Sequence, residues 1–233
     1  MKIIQNSEPS LYLVPTPIGN LGDITLRAVD VLKGVDFIFC EDTRRAKIIL
    51  KKFDISKPLK SLHSYNVKQR TEEVIDILRS GKKVAYISDS GTPGISDPGA
   101  SLVRKAYESG FSATVLPGAS AVIPAAVMSA LRCDKFLFLG FAPASPQKRR
   151  RLLRNLADSP FTSIFYESPH RLTKFLDDAL AVFGDRNCAI MKEISKIHET
   201  IYIGSISEIT EYFEKNAVRG EFVVVIEGKV KSL

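Results

Sequence analysis

Cysteine and histidine are both scarce in this sequence, and their scarcity removes whole classes of chemistry. Three cysteines, Cys40, Cys133 and Cys188, lie far apart in 233 residues and sit in apolar surroundings. An odd count at such spacing supports neither a disulfide framework nor a zinc site, and buried thiols in a reducing cytosol are expected. The three histidines, His63, His170 and His198, lack metal-ligand spacing. No G-x-G-x-x-G or Walker A run is present, which removes the usual glycine cradles for nucleotide phosphates. The Gly-x-Ser-x-Gly elbow of hydrolases is missing too. Met1–Glu8 contain no apolar core of signal-peptide length, so a cytoplasmic location is expected. One stretch, Ser112 to Leu131, carries no charge over a length that could cross a bilayer, but Pro117-Gly118 and Pro124 break it. It reads instead as a strand, a turn and a helix packed through Val122, Ile123, Ala126, Val127 and Ala130, with no membrane role.

What is present fits a globular chain, with 45% hydrophobic and 25% charged residues and no repeat or low-complexity segment. The net charge of +7 points to a polyanionic partner, because cationic faces gain affinity for nucleic acid by releasing condensed counterions. Its sharpest local form is Lys148-Arg149-Arg150-Arg151 with Arg154, in a helix that Ser145 caps and Pro146 starts. Arg150 and Arg154 share a face there, either solvated or in contact with RNA.

Apolar strand-like runs alternate with amphipathic segments through the first half: strands near 11–14, 35–40, 59–63, 84–88 and 113–116, helices near 25–33, 44–53, 67–80 and 98–109. That alternation predicts an α/β layer on a largely parallel sheet with right-handed crossovers. A second α/β unit starts near Asp134. Its strand signals at 136–141, 162–167, 189–193, 199–203 and 221–227, with helices at 147–156, 169–183 and 207–215, predict a mixed sheet. The predicted architecture is two α/β domains, residues 1–132 and 133–233.

Ligands in open α/β sheets bind outside the carboxyl ends of the strands, and polar or glycine-bearing segments sit at four such ends here. They are Pro15 to Asp23, Glu41-Asp42-Thr43-Arg44, His63-Ser64-Tyr65-Asn66 and Ser88 to Gly99. The last, Ser-Asp-Ser-Gly-Thr-Pro-Gly-Ile-Ser-Asp-Pro-Gly, combines three glycines that permit close approach, two stiffening prolines and Asp89 at the strand end.

These blocks, with Pro117-Gly118-Ala119-Ser120-Ala121 and Tyr166-Glu167-Ser168-Pro169-His170-Arg171, resemble the tetrapyrrole methylase (class III) methyltransferases, and within them the group that methylates small-subunit ribosomal RNA. The resemblance runs through nearly the whole chain. It implies a two-domain homodimer with S-adenosylmethionine in a cleft between the domains and the ribose 2′-hydroxyl of a cytidine in 16S rRNA, or in the small ribosomal subunit, as acceptor. Position by position it implies cofactor contacts at Ile18 and at Asp89, Ser90, Gly91, Thr92 and Ile95. Ser120, Ala121 and Tyr166 follow on the same basis. The sequence departs from the group's pattern at Met128 to Asp134, which lacks a Gly-Leu-Pro, at Arg45-Ala46 in place of His-Thr, and in its variant Lys192 to Glu199 segment. It also stops soon after Ile226, so RNA contacts that an extension supplies in many relatives are expected from elsewhere.

Methyl transfer from a sulfonium needs in-line positioning more than a nucleophilic side chain, and no metal. A ribose hydroxyl does need a base, or a cation to stabilise the alkoxide. Glu41 or Glu193 is read as the base, Arg44 or Lys196 as the electrostatic group, and Asn20 as the group that positions the hydroxyl; a plain Glu41–Arg44 ion pair at a helix start is the alternative. Tyr65 is read as stacking on a splayed base or as core edge. Glu167, His170 and Arg171 are read as RNA contacts, with Ser168 capping a helix that Pro169 starts. Two other functions remain open on sequence: methylation of a small tetrapyrrole-like metabolite, or RNA binding in assembly without turnover.

Overall fold

Four-residue apolar runs become central strands only where helices cover both faces, and Val84-Ala85-Tyr86-Ile87 is such a run, buried at every position. The computed structural model describes residues 9–229, so the leader reading at Met1–Glu8 lies outside the described residues. Two compact units form, Met1–Ser120 and Ala121–Leu233.

In the first unit, strands β1 (Leu11–Leu13), β2 (Phe37–Cys40), β3 (Leu59–Ser61), β4 (Val84–Ile87) and β5 (Ala113–Val115) form one sheet in the order β3-β2-β4-β1-β5. All four pairings are parallel. Helices α1 (Leu26–Gly34) and α2 (Thr43–Lys52) bury Ala28, Leu32, Ala46 and Leu50 on one sheet face, against Val14, Ile38, Ala85 and Ile87. Helices α3 (Val67–Arg79) and α4 (Gly99–Glu108) bury Val74, Ile75, Leu78, Leu102 and Ala106 on the other face, against Leu11, Leu13, Phe39 and Tyr86. The alternation of β4 explains this division, since successive side chains point to opposite faces. Local signals set the ends: Thr25 caps α1 by accepting from the Ala28 amide, and Gly81 follows α3 at φ +77°. The chain leaves β1 and β2 toward one edge of the sheet and β4 toward the other, which makes the carboxyl ends of these adjacent strands a topological switch point.

The second unit opens with α5 (Val122–Met128), followed by β6 (Phe136–Phe141), α6 (Pro146–Leu156), β7 (Thr162–Glu167), α7 (Leu172–Phe183), β8 (Asn187–Lys192), β9 (Thr200–Ser205), α8 (Ile206–Lys215) and β10 (Phe222–Ile226). Its sheet runs β6-β7-β10-β8-β9 and is mixed, parallel between β6 and β7 and antiparallel elsewhere. Leu153 of α6, Phe175 and Leu176 of α7 and Phe213 of α8 cover one face over Phe165, Ile190 and Val224. Ser205 and Glu208 close a reciprocal capping box at the start of α8.

Four local features of the structure differ from the sequence expectation. The units divide at Ser120/Ala121, not after Arg132, because α5 packs on β8 and β10 and so joins the second unit. That helix buries Ala125 and Ala126, whereas Ile123, Val127 and Ala130 are exposed. Helix α7 starts at Leu172, not at Pro169: residues 169–171 form a turn whose Arg171 and Leu172 amides donate to the Ser168 carbonyl, and the Ser168 side chain makes no cap. Ser145 likewise occupies the N-cap position of α6 without a side-chain hydrogen bond, and Pro146 takes the first turn.

Candidate active site

The exits of β1, β4 and β5 are stitched together by the chain's own backbone. Past the end of β1, Thr16 exchanges two hydrogen bonds with Gly91, its amide donating at 3.0 Å and its carbonyl accepting at 2.9 Å. The Thr16 hydroxyl donates to the Ser88 carbonyl at 3.1 Å, and the Thr92 hydroxyl donates to the Ala119 carbonyl at 3.1 Å. Gly91 holds φ +77°, a conformation that calls for glycine, and a Cβ there would sit in contact with Ile18 Cγ2 at 3.4 Å and the Ala119 carbonyl oxygen at 3.6 Å. Asp97 fixes the far side of the loop, its carboxylate accepting from the Gly94 amide at 2.8 Å and the Gly99 amide at 2.8 Å. Ser90 and Ile95 project from this frame into solvent.

A second clasp joins β2 to β4. Glu41 Oε1 accepts the Asp89 amide at 3.0 Å, and Asp89 Oδ1 accepts the Asp42 amide at 2.9 Å. Burial pushes the Glu41 carboxyl above its usual range, the Asp89 amide opposes this, and the charges of Asp97 and Asp89 add to the rise. Asp42 behaves in the opposite way: the Arg44 side chain and backbone amide hold it down at about 2. The Glu41–Arg44 ion pair is therefore absent; Arg44 pairs with Asp42 at 2.9 Å, and Arg45 lies 3.7 Å from Asp89. Cys40 at the end of β2 is pushed up to about 12, chiefly by burial, which leaves it an inert thiol. Asn20 spends its side-chain oxygen on the Gly22 amide at 2.9 Å, capping a short 3-10 turn, Leu21–Asp23.

Tyr65, at the exit of β3, is no core edge: it is 97% exposed. The side-chain oxygen of Asn66 accepts the His63 amide at 2.8 Å, and its side-chain nitrogen donates to the Ser61 carbonyl at 3.3 Å.

In the second unit, Glu193 adopts φ +57° at the end of β8. Its Oε1 accepts from the Glu221 amide at 2.7 Å and from Lys196 Nζ at 2.9 Å, while Lys196 also reaches Glu221 at 3.0 Å. Burial alone would raise the Glu193 carboxyl, but the Glu221 amide and the Lys196 ammonium outweigh it and hold it below its usual range. Glu193 and Lys196 thus form a structural clasp between two loops. Glu167 is also internal, pairing with Arg171 at 2.7 Å and accepting the Ser168 amide at 2.8 Å; its burial removes it from direct RNA contact. Arg171 donates to the Ala142 carbonyl at 3.3 Å, and His170 is exposed. Tyr166 is half-buried between the edges of Phe138 and Phe141.

The basic helix also departs from its sequence reading in the placement of its cations. Arg149 is buried, and Asp178 on α7 accepts from its Nε at 2.6 Å and from Arg150 Nε at 2.5 Å. Arg154 remains exposed. The sequence reading missed the structural part played by Thr16, whereas Asp97 acts as the loop-shaping helix cap its sequence suggests. Asp97 carried a signal, as an Asp-Pro before a helix; Thr16 carried none.

The sequence profile of the tetrapyrrole (corrin/porphyrin) methylases matches residues 10–210. A protein from Thermotoga maritima named ribosomal RNA small subunit methyltransferase I is 44% identical over 219 residues, covering 94% of this chain and 98% of that protein. Proteins of the same name from Halalkalibacterium halodurans and Synechocystis are 41% and 43% identical, covering 96% and 94% of this chain and 78% of each relative. Among solved structures, a uroporphyrin-III-C-methyltransferase from Thermus thermophilus superposes with a TM-score of 0.66 at 16% identity, over 93% of both chains, a likeness of fold.

Proposed function

The chain belongs to the tetrapyrrole (corrin/porphyrin) methylase family, and from that premise we propose that it methylates 16S rRNA with S-adenosylmethionine, at the ribose 2′-hydroxyl of a cytidine. The observation that carries this reading is the 44% identity to a small-subunit rRNA methyltransferase along 98% of that relative's length.

The residues at the strand ends fit the cofactor. Gly91 leaves open the space beside Ile18 that a Cβ would fill, and Glu41, Asp89 and Asp97 supply a negative field suited to a positive sulfur. In this reading Ile18, Asp89, Ser90, Gly91, Thr92 and Ile95 hold the nucleoside, with Ser120 beside them in the chain's third stitched loop. For Ala121 and Tyr166 the support is their place in the family motifs. When bound, S-adenosylmethionine supplies an activated methyl group. The protein's task is then to align the ribose hydroxyl and take its proton. Glu41 suits that role better than Glu193, because burial pushes its carboxyl above the usual carboxylate range while that of Glu193 is held down by its own partners. We place the protein in the cytoplasm, with its substrate, as a homodimer. Apolar side chains left open on α5 (Val127, 75% exposed) and on the edge strand β9 (Ile203, 62% exposed) support a second copy as their cover. Sedimentation of the wild type and of Val127→Asp tests this; a monomeric wild type refutes it.

Incubation with methyl-labelled cofactor and small ribosomal subunits, naked 16S rRNA or a porphyrinoid tests the activity. Label recovered as one 2′-O-methylcytidine is the expected result. Label on a base or in the porphyrinoid, or cofactor binding without transfer, overturns it.

A further inference from the structure

The turn after β3 displays an aromatic ring in a way that the fold itself does not use. Tyr65 is 97% exposed, so it contributes almost nothing to the core. The turn that carries it is held in place. The His63 ring lies edge-on to it, with centroids 6.0 Å apart at 68°, and Asn66 holds His63 by its amide at 2.8 Å and at its Nε2, 3.3 Å away. Asn66 in turn is anchored to strand β3 through the Ser61 carbonyl. A shallow cavity of about 500 Å³ lies alongside, and Lys68 and Gln69 on the first turn of α3 help to line it. A flat π-face, an ammonium and a side-chain amide around one open groove suit the face of a base, a phosphate and a base edge, while the Glu72 carboxylate that also lines the groove is paired with Lys105 at 2.8 Å.

We propose that Tyr65 is a stacking platform for one unpaired base of the RNA substrate, with Lys68 on the adjoining phosphate; this rests on the rRNA reading above. The hydrogen bonds of Asn66 order the turn beneath the ring, so little backbone freedom is lost when the base arrives. An aromatic stack tolerates any base, so the platform captures a splayed strand and leaves the choice of nucleotide to other contacts.

The sequence contains no tryptophan, so Tyr65→Trp places the chain's one indole in the groove, where it is excited apart from the tyrosines. Titration with a 16S rRNA transcript and with a short single-stranded oligoribonucleotide should quench its emission. Tyr65→Ala should weaken RNA binding in filter retention by roughly 5- to 150-fold, Tyr65→Phe should stay close to wild type, and cofactor affinity should not change in either. Lys68→Ala should lower the slope of log affinity against log salt by about 0.7. Unquenched Tyr65→Trp at saturating RNA, or wild-type binding by Tyr65→Ala, overturns the platform while the rRNA reading stands. A wild type that retains no RNA overturns both.

Discussion

Replacing Glu41 by Gln separates the two jobs this side chain can do. As a structural group, its Oε1 accepts the Asp89 amide at 3.0 Å and helps to hold the exit of β4 against β2. A carboxamide oxygen can accept the same bond, so Glu41→Gln should change loop geometry by no more than the difference between a charged and a neutral acceptor, about 1 kcal/mol. As a proton acceptor, the carboxylate has no substitute in Gln, and loss of a general base should cost about 100- to 10,000-fold in kcat. Burial raises the Glu41 carboxyl, with Asp97 and Asp89 adding to the effect, so the deprotonated form is lost as pH falls through a value above the ordinary carboxylate range. The wild type should then show an acid limb in kcat above pH 4.5, the ordinary value for glutamate, and Glu41→Gln should lack it. Glu41→Ala should lose turnover equally and cofactor affinity as well, because the Asp89 bond goes too. Calorimetry for cofactor binding and single-turnover transfer to rRNA across pH measure both. A Glu41→Gln enzyme that keeps a third or more of wild-type kcat with the same acid limb refutes the base assignment.

Gly91→Ala should cost about 1–2 kcal/mol of backbone strain at φ +77° and should weaken cofactor binding by calorimetry at least tenfold, since its Cβ enters the space beside Ile18; unchanged affinity would remove Gly91 from the site. Asp178→Asn strips the counter-charge from buried Arg149 and should destabilise by about 3–5 kcal/mol, a melting shift of roughly 6–20 °C by calorimetry, whereas Arg149→Leu with Asp178→Leu should recover most of it. The Glu193 carboxyl is depressed when folded, so its contribution to stability is present above the unfolded value and is lost as pH falls through the folded one. Urea unfolding of Glu193→Gln should accordingly be less stable than wild type at neutral pH and converge on it in acid, with transfer chemistry little changed. Gly220→Ala should damage the same clasp, because at φ +103° its Cβ would fall 2.9 Å from the Glu193 side chain.

Legibility in the sequence followed the range of the forces involved. Strands and helices rest on local periodicity, and the apolar run 84–87 announces β4 as plainly as Thr25 announces α1. The strand-exit rule located Glu41, Asp89 and Gly91 together, because sheet topology alone brings those ends to one side. What failed depends on partners distant in sequence. Asp178 stands 29 residues from Arg149, and nothing in Lys148-Arg149-Arg150-Arg151 says that one cation of four is internal. Val127 fits an apolar helix face by spacing, yet α5 packs on β8 and β10 through Ala125 and Ala126. Glu193 and Lys196 read as an acid and a cation close in sequence; the backbone amide of Glu221, 28 residues away, also engages that carboxylate, and no local signal announces it.

The paired bonds between Thr16 and Gly91 join segments 75 residues apart in the chain. Neither segment can breathe alone, since freeing one amide leaves the other without its acceptor. Their protons should exchange with deuterium at one common rate, and a molecule that quiets the β4 exit should slow exchange at residue 16 by the same factor.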